Sequence, residues 1–430
     1  MKKRLTYFDI AKGTGMVFVL IGHLQGEILG FSPYILYLCI WIFSFHMPFF
    51  FLVSGMLIRY KNDVDRDFKV LVRKRFQGIM IPYYLFSVVY IGIVLWGMFV
   101  DHIVPPSTLF VNLWYVIGLY GMNVLWFLPA AFLGELLFLY IMKKYGNDTS
   151  SSAQNYEGHA DQEPKQDSGV TATGSNENSV GSGKKAASII AALTIIAYIL
   201  NLLLQRGTYD TAIAERFHEL CITILRPVFA CSFIGIGYFG FGLLQRLEGW
   251  FIQRPTAEER EDRKESNNTS AVTATKGQKN LSWLTLAGAI GFLAVDIFCI
   301  YVSMHLLHYN NVGEFRSLVH NNVIVYYMAA ISGSMWLILF SKALTGLWPR
   351  YRFRLLTFYG ANSLVFMAVH NNSKVLTFAL RSAMYLNQYL TRARGYICYA
   401  VIILIMLTYT TLATWLISRY LPVMSGKGSR

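Results

Sequence analysis

Cysteine is scarce in this chain, five residues among 430, and the five are scattered: Cys39, Cys231, Cys299 and Cys398 in apolar stretches and Cys221 in an expected outer loop. That spacing excludes a disulfide framework and a close-set thiolate metal cluster, so neither a metal nor a bound prosthetic group is expected. A small-residue cleavage site is also missing after the basic start Met1-Lys2-Lys3-Arg4, and the apolar run that follows reads as a retained helix rather than a removed leader. The two halves show no repeat, which counts against the repeat-built transporter folds. Acidic residues are few as well: 24 Asp and Glu stand against 38 Lys and Arg, leaving +14 at neutral pH. Such a balance raises nucleic acid as a partner, but the positions of the charges give another account.

Hydrophobic residues make up 54% of the chain, and mean hydropathy is +0.41, too apolar for an ordinary soluble domain. Apolar segments near 7–26, 33–58, 79–100, 124–142, 187–205, 227–245, 282–306, 322–341, 355–376 and 396–418 approach the length that crosses a bilayer. The expected fold is therefore all-α, a polytopic transmembrane bundle of about ten spans forming a single domain over 1–430. The ninth segment is diluted by Asn362, His370, Asn371 and Asn372. With both termini placed inside, inner segments hold 29 of the 38 basic residues. This is the positive-inside pattern, and it explains the net charge without nucleic acid. It predicts a cell (inner) membrane protein with both termini cytoplasmic. Two inner stretches, 146–185 and 253–280, are rich in Ser, Asn, Thr, Gly and Glu, nearly free of aromatics, and expected to be disordered.

Ionisable and polar residues within spans are costly in lipid, so each is a functional candidate. In the first span, Lys12 and His23 are eleven steps apart, which returns them to within about 20° on one helical face. Glycines at 13, 15 and 22 thin that helix for close approach. Lys12 either snorkels to the inner interface or serves a polar site; His23 either closes the outer helix end or acts chemically. In the second span His46 precedes Pro48, which removes a backbone donor and is expected to bend the helix beside the ring. The fourth span sets Trp126 ahead of Glu135, a carboxylate needing Lys12, a histidine or backbone as partner. Asn362, Ser363 and His370 mark the ninth span. Asp9 and Asp296 lie near span ends and read as ordinary.

Five of these stretches resemble the acyltransferase 3 family of integral membrane O-acyltransferases, in particular its fucose 4-O-acetylase-like branch. They are Phe8-Asp9-Ile10-Ala11-Lys12-Gly13 followed by His23, the run Phe45-His46-Met47-Pro48-Phe49 to Gly55, Ile81-Pro82-Tyr83-Tyr84, Trp126-Phe127-Leu128, and Gly360-Ala361-Asn362-Ser363-Leu364. The resemblance implies acetyl transfer from acetyl-CoA to a hydroxyl of a cell-surface or lipid-linked glycan. His23, Lys12, His46 and Glu135 are then catalytic candidates, and Trp126, Asn362, Ser363 and His370 candidates for acceptor binding. The family's Arg-x-x-Arg before the third helix is replaced here by Arg73-Lys74-Arg75, to which donor-phosphate contacts are assigned by simple electrostatics. The alternative function is a transporter or flippase of a glycan-type substrate, with polar intramembrane residues relaying protons or holding cargo.

The charge asymmetry generates a direct test of topology. A cysteine introduced near residue 165 is expected to react with an impermeant thiol reagent only in inverted or permeabilised vesicles; labelling of intact cells would reverse the orientation.

Overall fold

The computed structural model describes residues 5–24, 33–146, 175–253, 270–349, 351–388 and 394–427. The expected inner stretches therefore fall partly outside the described residues, at 147–174 and 254–269, while 175–185 and 270–280 are the first turns of helices.

Helices dominate, as the apolar segments predict. They are α1 (Thr6–His23), α2 (Pro33–Lys61), α3 (Phe68–Arg75), α4 (Ile81–Phe99), α5 (Ser107–Ile117), α6 (Phe127–Tyr145) and α7 (Ser175–Gln205). After these come α8 (Ala212–Gln253), α9 (Ser270–Tyr301), α10 (Val323–Leu347), α11 (Arg354–Ala361), α12 (Ser363–Val369), α13 (Ser373–Asn387) and α14 (Arg394–Tyr420). A short antiparallel hairpin, β1 (Gly313–Glu314) with β2 (Val319–His320), joins α9 to α10. Among the described residues, eight helical stretches are long and apolar enough to cross a membrane. Two of the ten expected spans fall short of that measure. α1 has only 18 residues and carries Asp9 and Lys12, and the ninth segment is broken at Asn362 into α11 and α12.

Both of these weaker elements are central. α1 packs against α2, α10, α11, α12 and α14, so its polar groups meet protein instead of lipid. The contact with α11 is the closest. A Cβ on Gly13 would run into the Leu356 carbonyl, and one on Gly360 into the Asp9 carbonyl, so each glycine lets the other helix's backbone come against it. The Lys427 ammonium donates to Asn362 Oδ1 at 2.7 Å, which ties the last described residues to the α11–α12 break.

The sixth span is longer than its apolar run. α8 starts at Ala212, taking in Cys221 and four charged residues, Glu215, Arg216, Glu219 and Arg226, that the sequence left in a loop. Arg216 pairs with Glu219 at 2.7 Å, and Arg226, 1% exposed, donates to the backbone carbonyls of Arg316 at 2.7 Å and Tyr120 at 2.9 Å. A buried guanidinium held by two carbonyls and resting over the Tyr120 and Trp126 rings can stay inside a helical bundle. α2 likewise runs unbroken through Pro48.

Glu135 finds neither Lys12 nor a histidine. Its Oε2 lies 2.6 Å from Arg75 Nε, and Ser54 donates to its Oε1. The same guanidinium reaches Asp63 Oδ2 at 2.9 Å. The group therefore pins α3 and the turn after α2 onto α6 at the end of the bundle where α1 begins. Asp296 also departs from the sequence reading. It is fully buried on α9 and accepts from Ser44 Oγ of α2 at 3.1 Å.

A structural role for Glu135 has a measurable consequence. Glu135→Ala leaves Arg75 half-paired and is expected to cost roughly 3–5 kcal/mol, read as a drop in the thermal midpoint of detergent-purified protein. A variant that kept its midpoint yet lost all activity would return Glu135 to the catalytic set.

Candidate functional site

Two concave regions lie at opposite ends of α1. At its C-terminal end a cavity of about 800 Å³ is lined by α1 (Met16, Val19 and His23), by α2 (His46, Met47 and Phe50 among others), by Trp126, and by Met367 and His370. The chain between α9 and α10 closes one side with His305, His308, Tyr309, Asn310, Asn311, Glu314 and Arg316.

Helix periodicity explains the meeting of the histidines. His23 ends α1, His46 stands near the middle of α2, and His370 follows the last residue of the broken α12. The rings of His23 and His370 have centroids 5.0 Å apart, and those of His23 and His46 are 6.5 Å apart and nearly perpendicular. His370 Nδ1 is 2.6 Å from the Met367 carbonyl, which can only accept, so this nitrogen carries the proton. Its Nε2 is left as a lone-pair acceptor with no hydrogen-bond partner among the described residues. Phe43 packs edge-on against both His23 and His46 and fixes their planes.

The opposite wall is held from behind. Arg226 fixes the carbonyl of Arg316, Asn201 donates to that of Leu318 at 2.8 Å, and Ser303 donates to that of Asn311 at 2.8 Å. His320 packs at a tilt against Phe229 and Tyr326, and burial holds its imidazole down at about 4, so the ring is neutral at physiological pH. Phe315 from the hairpin lies nearly parallel to Trp126, with centroids 5.9 Å apart. The cavity thus combines an aromatic floor, an imidazole wall and a rim of amides, one carboxylate and one guanidinium.

Of the residues singled out from sequence, His23, His46, His370 and Trp126 share this cavity. Lys12 does not line it. One face of a helix is not one place: eleven residues rise about 16 Å, and Lys12 sits at the other end, its Nζ 3.3 Å from Asp9 Oδ1. Asn362 lies at the α11–α12 break, donating to the Phe358 carbonyl at 2.8 Å and accepting from Lys427, and Ser363 begins α12 beside it. Glu135 belongs to the Arg75 group, and Arg75 is accordingly committed to Glu135 and Asp63; Arg73 and Lys74 remain exposed on α3. The sequence reading missed His305, His308, Glu314 and Arg316. Their signal was there, in the crowding of histidine and asparagine just after the seventh apolar run, but a loop gives no periodicity to show which way it folds.

The acyltransferase 3 family model, an acyltransferase domain, matches residues 5–419, nearly the whole chain. No curated protein and no solved structure shows significant similarity to it. A match over that length, on a helical membrane bundle with imidazoles gathered in one cavity, places this chain in the acyltransferase 3 family.

Proposed function

We propose that the chain is a membrane O-acetyltransferase that moves an acetyl group from acetyl-CoA to a hydroxyl of a cell-surface or lipid-linked glycan. The supporting observation is the convergence of His23, His46 and His370 on one wall of a cavity whose other wall is polar and aromatic. A sugar suits such a cavity. Its hydroxyls pair with Asn310, Asn311 and Glu314, and its apolar face rests on Trp126 and Phe315, with few polar groups fixing orientation.

His23 is the base. His370 holds its unpartnered Nε2 beside the His23 ring, centroids 5.0 Å apart, and a turn of either ring would let it accept the proton on one His23 nitrogen and leave the other free, the base-and-orienter arrangement of hydrolytic triads. The acceptor oxygen attacks the thioester carbonyl carbon as its proton passes to His23. The carbon–sulfur bond then breaks and the departing thiolate takes a proton back. A route through an acetyl-histidine uses the same ring as nucleophile. His46 donates to or orients the acceptor, and Trp126 excludes water from the reacting carbonyl. Lys12, with Asp9, lies on the donor's side of the bundle, where its charge helps position the donor. The chain would work in the cell membrane with both termini cytoplasmic and the His23 cavity facing out. Its likeness to the fucose 4-O-acetylase-like branch favours a sugar ring as acceptor.

Replacing His23 by alanine is expected to lower acetyl transfer by roughly 10²–10⁴ with little change in the thermal midpoint, since the half-buried ring borders an open cavity. His370→Ala should cost less and act through the pH profile, because it orients the base instead of carrying the proton. Wild-type transfer by His23→Ala, with loss in His46→Ala, would move the base to α2. Wild-type transfer by both would end the proposal for this cavity.

A further inference from the structure

Of the two concave regions at the ends of α1, the N-terminal one is a groove lined by Thr6, Asp9, Arg352 and Arg354 among others. No buried side-chain polar atom there lacks a hydrogen-bond partner among the described residues. The histidine cavity differs. His46 is 7% exposed and His370 1%, yet Nδ1 of the first and Nε2 of the second have no partner among the described residues, so the cavity is built for a polar occupant. Arg316 is the one guanidinium lining it, and no ammonium joins it. This arginine is half-buried, forms no ion pair among the described residues, and is the charged group whose field falls on the His23 ring. Glu314, the one carboxylate lining the cavity, accepts instead from Ser317 Oγ at 2.8 Å.

The turn that carries Arg316 is immobilised. Three successive carbonyls are held from behind by side chains of two helices: Arg226 Nε of α8 donates to that of Arg316 at 2.7 Å, Gln205 Nε2 of α7 to that of Ser317 at 3.1 Å, and Asn201 Nδ2 of α7 to that of Leu318 at 2.8 Å. Phe315 and Leu318 are buried on either side. A positive charge on so fixed a backbone, facing a base across open volume, is preorganised for negative charge that forms between the two. We infer that Arg316 is a catalytic residue of acyl transfer, donating to the carbonyl oxygen of the acyl group as that oxygen becomes an oxyanion.

The inference rests on the acyltransferase reading above, with His23 as base. The acceptor oxygen bonds to the thioester carbon and gives its proton to His23, while the carbonyl π electrons move onto oxygen. They return as the carbon–sulfur bond breaks, and the thiolate leaves with the proton from His23. No other permanent cation is at hand, for Lys12 stands about 16 Å away along α1. Proximity to the base decides between two uses of this charge. A guanidinium that held an acid group of the acceptor need not lie beside the base, whereas the oxyanion forms two bonds from the oxygen that His23 deprotonates.

The test is steady-state kinetics of the full chain in nanodiscs, with labelled acetyl-CoA and three acceptors: hydroxylamine, methyl fucoside and methyl glucuronide. Arg316→Gln should lower kcat by roughly 10²–10³ with every acceptor the wild type uses, while acceptor KM stays within about twofold and the thermal midpoint holds. Arg316→Lys keeps the charge without the fork and should recover about tenfold of that loss. Guanidinium ion should restore transfer by Arg316→Gly in a saturable way and do nothing for His23→Ala. A defect confined to KM for the glucuronide would overturn the inference and make Arg316 an acceptor contact. A fall in the thermal midpoint with no rescue by guanidinium would overturn it in favour of a structural role. Transfer by Arg316→Gln at the wild-type rate would overturn the inference alone, whereas a wild-type chain that acetylates none of the three would refute the acetyltransferase reading and this inference with it.

Discussion

A bilayer offers no water to a helix that carries Asp9, Lys12 and His23, so α1 has to be enclosed by protein, and the architecture follows from that requirement. Enclosure is made close by glycine. Gly13 and Gly360 let α1 and α11 touch backbone to backbone, and α2, α10, α12 and α14 complete the sheath. An enclosed polar helix has two ends with separate environments. One meets a basic groove, the other a cavity of histidines, and the helix is the shortest covalent path between them.

Polar groups elsewhere obey the same rule by different means. Arg226 donates to two carbonyls and rests on aromatic faces, and in doing so it braces the hairpin that walls the cavity. Arg75 is satisfied by two carboxylates and ties the amphipathic α3 to the bundle. Asp296 takes Ser44. These buried groups consolidate the bundle, whereas the imidazoles of His23, His46 and His370 face open volume, and that difference separates structural polarity from a reactive site.

Much of this was legible in the sequence because hydropathy runs are long and one-dimensional. The all-α membrane class and most of the spans came from local pattern, and the polar residues picked out within the first two spans, His23 and His46, line one cavity. What was not legible depended on depth and pairing. Lys12 and His23 share an angular position but differ in height by most of the helix, which an angle cannot show. Glu135 chose Arg75, sixty residues away and across a loop. Arg226 sat outside the apolar window that defined its span. The polar wall of the cavity came from a connection without periodicity, and Arg352 and Arg354, which read as ordinary juxtamembrane anchors, line one groove.

The central claim is that donor and acceptor reach α1 from opposite faces. Proteoliposomes with uniform orientation test it most directly, with isotopically labelled acetyl-CoA confined to the compartment facing Arg352 and a water-soluble glycan acceptor confined to the compartment facing His308. The account predicts labelled acetyl ester on the acceptor across the membrane, and none when the two compartments' contents are exchanged. Label appearing only when donor and acceptor share one compartment would contradict it.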